Sequence, residues 1–340
     1  ETSLDLIEEF SPPKGRIEGS SAESTTFILG AETNASFWAI NKLLEADIHV
    51  SRTLKPFKTD RKTHEIGTYI IEAPQTPGIV RDLADQSGLL FEATTTPVLT
   101  DRMFLRSPRV GLYKSWSPTA EEGWSRWIFE EYCLPYTSIF DADIKQGDLG
   151  AYYDAIVLPH QPAQRLLEGQ SRSEYPPEFS GGLGTIGSEN LRSFVEGGGT
   201  LIAWDGAAEF AMNHLDLPTR NILRDLPDTE FYAPGTFFNV LLDIAHPIAH
   251  GLPRRVPVMF ERSPAFASDE GQLIGRYPRS NPLVSGWVLG QHHLQGKAAL
   301  VEIPLGLGRV ILIGFKVHFR AQARGTYRLL FNSILYSSAT

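Results

Sequence analysis

The chain has 340 residues, 42% hydrophobic, 11% aromatic and 21% charged, and its 31 Lys and Arg against 40 Asp and Glu give a formal net charge of -9. That length supports two domains, each with its own core, and the acidic balance argues against a nucleic-acid groove or an anionic membrane as partner. No apolar run is long enough to span a bilayer, and a single cysteine, Cys133, excludes an internal disulfide and a multi-cysteine zinc site.

The start, Glu1-Thr2-Ser3-Leu4, has no Met, basic stretch or apolar signal core, so the chain reads as a mature or excised segment. Residues 1–24 carry Pro12-Pro13, Gly15, Gly19 and a serine run, the composition of a surface arm. A small α/β module is expected over 25–106: strand Thr26 to Leu29, helix Asn34 to Ala46, strand Ile48 to Val50, a hairpin within Phe57 to Glu72, and a helix from Pro77. The first three of these read as a βαβ-like unit.

A second domain is expected over 107–340. Arg109 to Tyr113, Thr137 to Phe140, Tyr153 to Pro159 and Thr200 to Trp204 read as buried strands that alternate with helices, the pattern of a doubly wound, mainly parallel sheet. In the helix from Glu121 to Tyr132, the aromatics Trp124, Trp127 and Tyr132 recur at helical spacing and read as core, with Cys133 a packed thiol at its end. After residue 210 the texture turns to strand and turn, predicting an antiparallel β extension before a last helix, Thr326 to Tyr336.

The most informative stretch is Gly197 to Phe210: a glycine-ended helix, an apolar strand, a single residue Asp205, and Gly206-Ala207-Ala208 opening a helix. Small residues behind a sharp strand-to-helix turn are what a nucleophile elbow needs, since they let the helix pack close and push the tip residue outward. By the switch-point rule, ligands meet the carboxyl ends of the strands near Lys114, Trp116, His160, Gln161, Trp204 and Asp205. None of the nine histidines has Glu three residues on, and the paired His292-His293 and spaced His246 and His250 make poor chelates, so no metal site and no cofactor are expected.

Arg109 to Tyr113, Tyr153 to Pro159, Gly197 to Glu209 and Gly306 to Phe315 together resemble the class I glutamine amidotransferase-like fold, the broad flavodoxin-like group that also holds ThuA-like proteins. Glu122 to Trp127, Tyr175 to Gly184, Ser280 to Trp287 and Phe319 to Gln322 are similar to the region that follows the catalytic domain in bacterial zinc-carboxypeptidase-like proteins. The resemblance implies an upstream zinc-carboxypeptidase-like domain of the same protein as partner, and a periplasmic or extracellular location. It aligns Asp205 to Glu209 with the Cys-x-Gly-x-Gln elbow, and His318 with the catalytic histidine. Asp205 replaces the thiol, and Arg320 stands where a glutamate is implied.

Amide hydrolysis through a thiolate is therefore not expected. The leading expectation is a non-catalytic accessory region that packs against the peptidase domain or binds peptide or glycan. Two alternatives stand beside it: a hydrolase with Asp205 as nucleophile, His318 as base and Glu209 as orienter, and a carbohydrate-binding module using Trp116, Trp204 or Trp287. Asp205 also has a simpler reading, as a side-chain N-cap of its helix.

Overall fold

The structure, a computed structural model, describes residues 13–19, 26–72 and 77–340. The arm expected over 1–24 lies outside the described residues apart from 13–19, and there Arg16–Gly19 form a strand, β1. The N-terminal module continues with β2 (Thr26–Leu29), α1 (Asn34–Glu45), β3 (His49–Thr53), the short pair β4 (Phe57–Lys58) and β5 (Thr63–His64), β6 (Tyr69–Glu72), α2 (Pro77–Ser87), β7 (Leu90–Thr94) and β8 (Arg102–Leu105). Thr33 caps α1 by accepting the Ser36 N–H at 3.2 Å, and the helix buries Phe37, Ile40, Leu43 and Leu44.

The sheet order is β1-β7-β2-β6-β3-β8. This corrects the expected βαβ unit: β6 separates β2 from β3 and runs antiparallel to both, which makes β2 to β7 a split βαβ of ferredoxin-like order. The reason is compositional. Tyr69, Ile70 and Ile71 are buried on both faces of β6, so this strand takes an interior place that the helix-flanked strands then surround.

The second part of the chain runs β9 (Val110–Tyr113), α3 (Ala120–Glu131), β10 (Thr137–Ile139), α4 (Asp141–Gln146), α5 (Leu149–Tyr152), β11 (Ala155–Leu158), α6 (Ala163–Glu168), α7 (Gly184–Glu196), β12 (Thr200–Trp204) and α8 (Gly206–His214). There follow β13 (Thr219–Asn221), β14 (Thr236–Leu242), β15 (Arg255–Phe260), β16 (Phe266–Ser268), β17 (Gln272–Arg276), β18 (Leu283–Ser285), β19 (Ala298–Leu305), β20 (Gly308–Ile313), α9 (Phe319–Gln322) and α10 (Tyr327–Ser337). The architecture is mixed α/β, as expected. Strands β10-β9-β11-β12-β20 are parallel neighbours, an order of 2-1-3-4-5 in their own sequence, and β19, β17, β14 and β15 extend the sheet antiparallel. Every residue of β9, β11 and β12 is buried, as strands covered on both faces must be.

One continuous core runs through both parts. Phe37 of α1 stacks on Phe331 of α10 with ring centroids 4.0 Å apart, and Tyr132 packs on the same ring. Arg328 reaches the backbone carbonyls of Glu32 and Gly251, and Phe104 exchanges backbone hydrogen bonds with Thr340. Arg52, 1% exposed, donates to the Gly67 carbonyl and to the Pro247 carbonyl across the junction. Gly67 sits at φ +86, and a Cβ there would lie 2.4 Å from the His250 Cβ, so only glycine permits this approach. Asp154 at the amino end of β11 clamps the connecting segment through Arg106 and Arg109, which outweigh its burial and hold its carboxyl well below the usual range.

Because the two parts share a core, they are expected to unfold together. F331A removes the ring between α1 and α10 and is expected to cost about 3–5 kcal/mol. Urea titrations followed by far-ultraviolet dichroism and by tryptophan fluorescence should keep coincident midpoints that shift together.

Candidate functional site

Asp205 occupies the turn between β12 and α8 with φ 56 and ψ -123, a conformation that costs a non-glycine residue and that rigid surroundings must impose. Those surroundings are present. The Asp205 N–H donates to the Ile313 carbonyl at 2.9 Å and its carbonyl accepts from the Ala208 N–H at 3.0 Å. A Cβ on Gly206 would lie 2.4 Å from the Gln161 carbonyl, and Ala207 and Ala208 are fully buried, so small residues are what let α8 pack behind the tip. The Asp205 side chain makes no hydrogen bond to its own helix, which corrects the reading of Asp205 as an N-cap. Its direction is set by strand geometry.

What that direction meets is a buried ion cluster. The Lys316 ammonium lies 3.1 Å from Asp205 Oδ2, 3.5 Å from Glu261 Oε2 and 3.9 Å from Glu121 Oε1. The Lys316, Asp205 and Glu121 side chains are at most 9% exposed, whereas Glu261 is 43% exposed at the rim. Burial works against the lysine charge, but Asp205, Glu121 and Glu261 outweigh it and hold its pKa above the ordinary value. Burial pushes the Glu121 carboxyl upward, and the nearby Asp205 charge adds to this against the pull of Lys316.

The histidines of the cluster are neutral. His318 is fully buried; burial and the Lys316 charge push its pKa down to about 3. Ser125 Oγ donates to the Glu121 carbonyl at 2.7 Å and therefore accepts from His318 Nε2–H at 3.0 Å, leaving Nδ1 unprotonated and 3.5 Å from Glu121 Oε2. His160 Nδ1 accepts the Gly206 N–H at 3.1 Å, so this atom carries a lone pair although it also lies 3.3 Å from Asp205 Oδ2. Burial lowers the His160 pKa accordingly, with Asp205 opposing. Asp205 Oδ2, Glu121 Oε2, His318 Nδ1 and the Trp204 indole N–H all lack an aligned hydrogen bond.

Helix α3 supplies Glu121 and Ser125 to this cluster by turning a polar face inward. Glu121, Glu122 and Ser125 are buried together with Ile128 and Phe129. The expected core residues Trp124 and Trp127 are instead 37% and 41% exposed, and Cys133 is half-buried in a left-handed turn rather than packed in the core. The aromatic spacing marks the outer face of this helix, because its inward stripe carries Glu121 to Lys316 and Ser125 to His318. Thr119 fixes the helix start, accepting the Glu121 N–H and donating to the His160 carbonyl at 3.2 Å.

The expected site residues divide into two sets. Asp205, His160 and His318 meet in the cluster, and His160 and Gln161 line a cleft of about 400 Å³ beside it with Ser117, Thr119 and Arg165. Glu209 does not orient His318: it accepts from Asn221 Nδ2, and the carboxylate beside His318 is Glu121. Lys114 lies over the Phe140 ring, and Trp116 is half-buried between Phe140 and Phe179, so neither lines the cleft. Trp204 is fully buried against His318, which removes it as a sugar platform; Trp287, 56% exposed beside Tyr232, keeps its ring open. Nothing local in the sequence marks Glu121, Ser125 or Glu261 as members of the site, and Lys316 is marked only weakly. Lys316 stands two residues before His318, the spacing that puts two side chains on one face of extended chain.

Among the described residues no group of three or more His, Cys, Asp and Glu is arranged to hold a metal ion, and no helix is long and apolar enough to cross a membrane.

No family profile matches the chain, and none of the curated proteins matches it. Among solved structures, it is similar to a ThuA-like protein from Bacteroides uniformis, with 12% identity and a TM-score of 0.40 over 72% of this chain and 95% of that one. It is similar to PurLQS from Thermotoga maritima, with 13% identity and a TM-score of 0.42 over 68% and 98% of the two chains. The β-galactosidase from Bacillus circulans sp. alkalophilus matches with 12% identity and a TM-score of 0.41 over 67% of this chain, which spans only 31% of that enzyme. Likeness this distant leaves function to the chain's own residues.

Two outcomes follow from the cluster. K316M would leave Asp205 and Glu121 buried without their cation and is expected to destabilise by about 3–5 kcal/mol, with a K316M/D205N double variant recovering part of that loss; urea midpoints measure both. His318 and His250 are each held down to about 3 by burial, helped by Lys316 and Arg52 respectively. Their folded pKa values lie below the ordinary histidine value, so the stability they contribute is complete above about pH 6.5 and is lost as pH falls toward 3. The loss is on the order of 1.4 kcal/mol per pH unit per histidine. A flat urea midpoint between pH 6.5 and 4 would contradict it.

Proposed function

We propose that this chain is a non-catalytic, amidotransferase-like accessory region of an exported zinc-carboxypeptidase-like protein, with the upstream peptidase domain as its partner. The observation that carries the reading is the state of the elbow residue. Asp205 stands where an attacking atom belongs, yet its side chain is 4% exposed and held at 3.1 Å by the Lys316 ammonium.

A nucleophile must be free to approach a substrate and be served by a base. Here the carboxylate is committed to a cation inside the protein. His318, the base of the hydrolase alternative, spends Nε2–H on Ser125 and faces Glu121 with Nδ1, and His160 has its inner nitrogen occupied by the Gly206 N–H. The elbow thus serves as a strut: it fixes the carboxyl ends of β12 and β20 and shapes the neighbouring cleft. The strings Glu122 to Trp127, Tyr175 to Gly184 and Ser280 to Trp287 support the carboxypeptidase association and, through it, the exported location.

The isolated chain is expected to show no hydrolysis of glutamine, p-nitrophenyl acetate or short peptides above buffer, and D205N to leave that baseline unchanged while lowering the urea midpoint. Hydrolysis by the isolated chain that D205N abolishes would overturn the reading. In the longer protein, deleting this region is expected to lower the thermal midpoint or the activity of the peptidase domain. If both stayed unchanged, the accessory role would fall.

A further inference from the structure

The cleft beside the ion cluster carries polar groups that the fold itself leaves unused. Its volume of about 400 Å³ falls within the range of about 300–1,000 Å³ common to small-molecule sites. Gln161, one of its lining residues, is only 4% exposed. Its Nε2 donates to the Ser117 carbonyl at 3.1 Å, which fixes the amide orientation and leaves Oε1 a buried acceptor with no donor. Ser117 Oγ is buried beside it without a partner. Buried polar atoms are rarely left unsatisfied, so this wall is incomplete without a ligand or ordered water that brings a donor.

Two further lining residues, Arg165 and His160, present donors. Arg165 is exposed, is tethered by one N–H to the Gly169 carbonyl at 2.9 Å, and has no carboxylate partner among the described residues. His160 is neutral, with its inner nitrogen taken by Gly206, so its other nitrogen carries the hydrogen. Lys316 is outnumbered by its own three carboxylates, and Arg165 is the cationic side chain that lines the cleft without a carboxylate partner among the described residues.

We propose that this cleft binds an α-carboxylate bearing an N–H on its α-carbon, as found at the carboxyl end of a peptide or in a free amino acid. The carboxylate takes the Arg165 guanidinium fork and the His160 N–H, and the neighbouring N–H meets Gln161 Oε1, with the Ser117 hydroxyl completing the set. The inference rests on the reading above that the region binds without turnover, and the two can fail separately.

The test is calorimetric titration of the isolated chain with N-acetyl-Ala-Ala, its C-terminal amide and L-alanine, with released alanine assayed in the same cell. The free acid is expected to bind at least about tenfold more tightly than the amide, since the amide removes the charge-assisted pair. R165Q is expected to weaken the acid by about tenfold or more at an unchanged thermal midpoint. L-alanine binding as tightly as the peptide would identify free amino acids as the source; weaker binding would identify peptide ends. Equal affinity for acid and amide, no binding of the acid at millimolar concentration, or an R165Q variant that binds like the parent would overturn the inference. Release of alanine would overturn the non-catalytic reading instead.

Discussion

A single ammonium group organises the carboxyl end of the parallel sheet. Lys316 leaves β20 just past its last paired residue and places its charge among Asp205, Glu121 and Glu261, so that the β12 elbow, helix α3 and the end of β15 are held to one point. At the low exposure of Lys316, Asp205 and Glu121 the attraction is only weakly screened, and each of these three would be costly to bury without the others. The cluster is therefore mutually dependent: Asp205 keeps its strained backbone because Gly206, Ala207 and the Ile313 carbonyl lock the turn, and its charge is tolerated because Lys316 is there.

The same constraint explains the unusual inward face of α3. A helix that packed Trp124 and Trp127 into the core would turn Glu121 and Ser125 outward, leaving Lys316 short of one carboxylate and His318 without its acceptor. The fold resolves this by burying the acidic and hydroxyl residues and leaving the indoles at the surface, paired edge to face. Polar burial of this kind is stable only where partners are close to complete. Among the buried polar atoms left without a partner, those on Glu121, Asp205, His318, Gln161 and Ser117 gather at the carboxyl ends of the parallel strands.

Two features underlie the proposed non-catalytic reading of this site. The elbow presents a carboxylate that is already neutralised, and the histidine near it is committed to Ser125 and Glu121. What stays open is the adjoining cleft, whose walls come from the loops after β9 and β11. The N-terminal module joins the same core through Phe37, Arg52 and Arg328.

From the sequence alone, the alternation of strands and helices, the elbow at Asp205 and the antiparallel ending were legible, because hydrophobic period and glycine placement are local properties that the chain carries within ten or fifteen residues. The split order of the N-terminal sheet was not, since β6 inserts between two strands that are neighbours only in sequence. Nor was the partnership of Lys316 with Glu121, about 195 residues apart along the chain. Charge pairing has no period to read: whether a buried carboxylate attacks a substrate, caps a helix or balances a lysine depends on which distant side chain folding brings to it, and only the tertiary structure decides that.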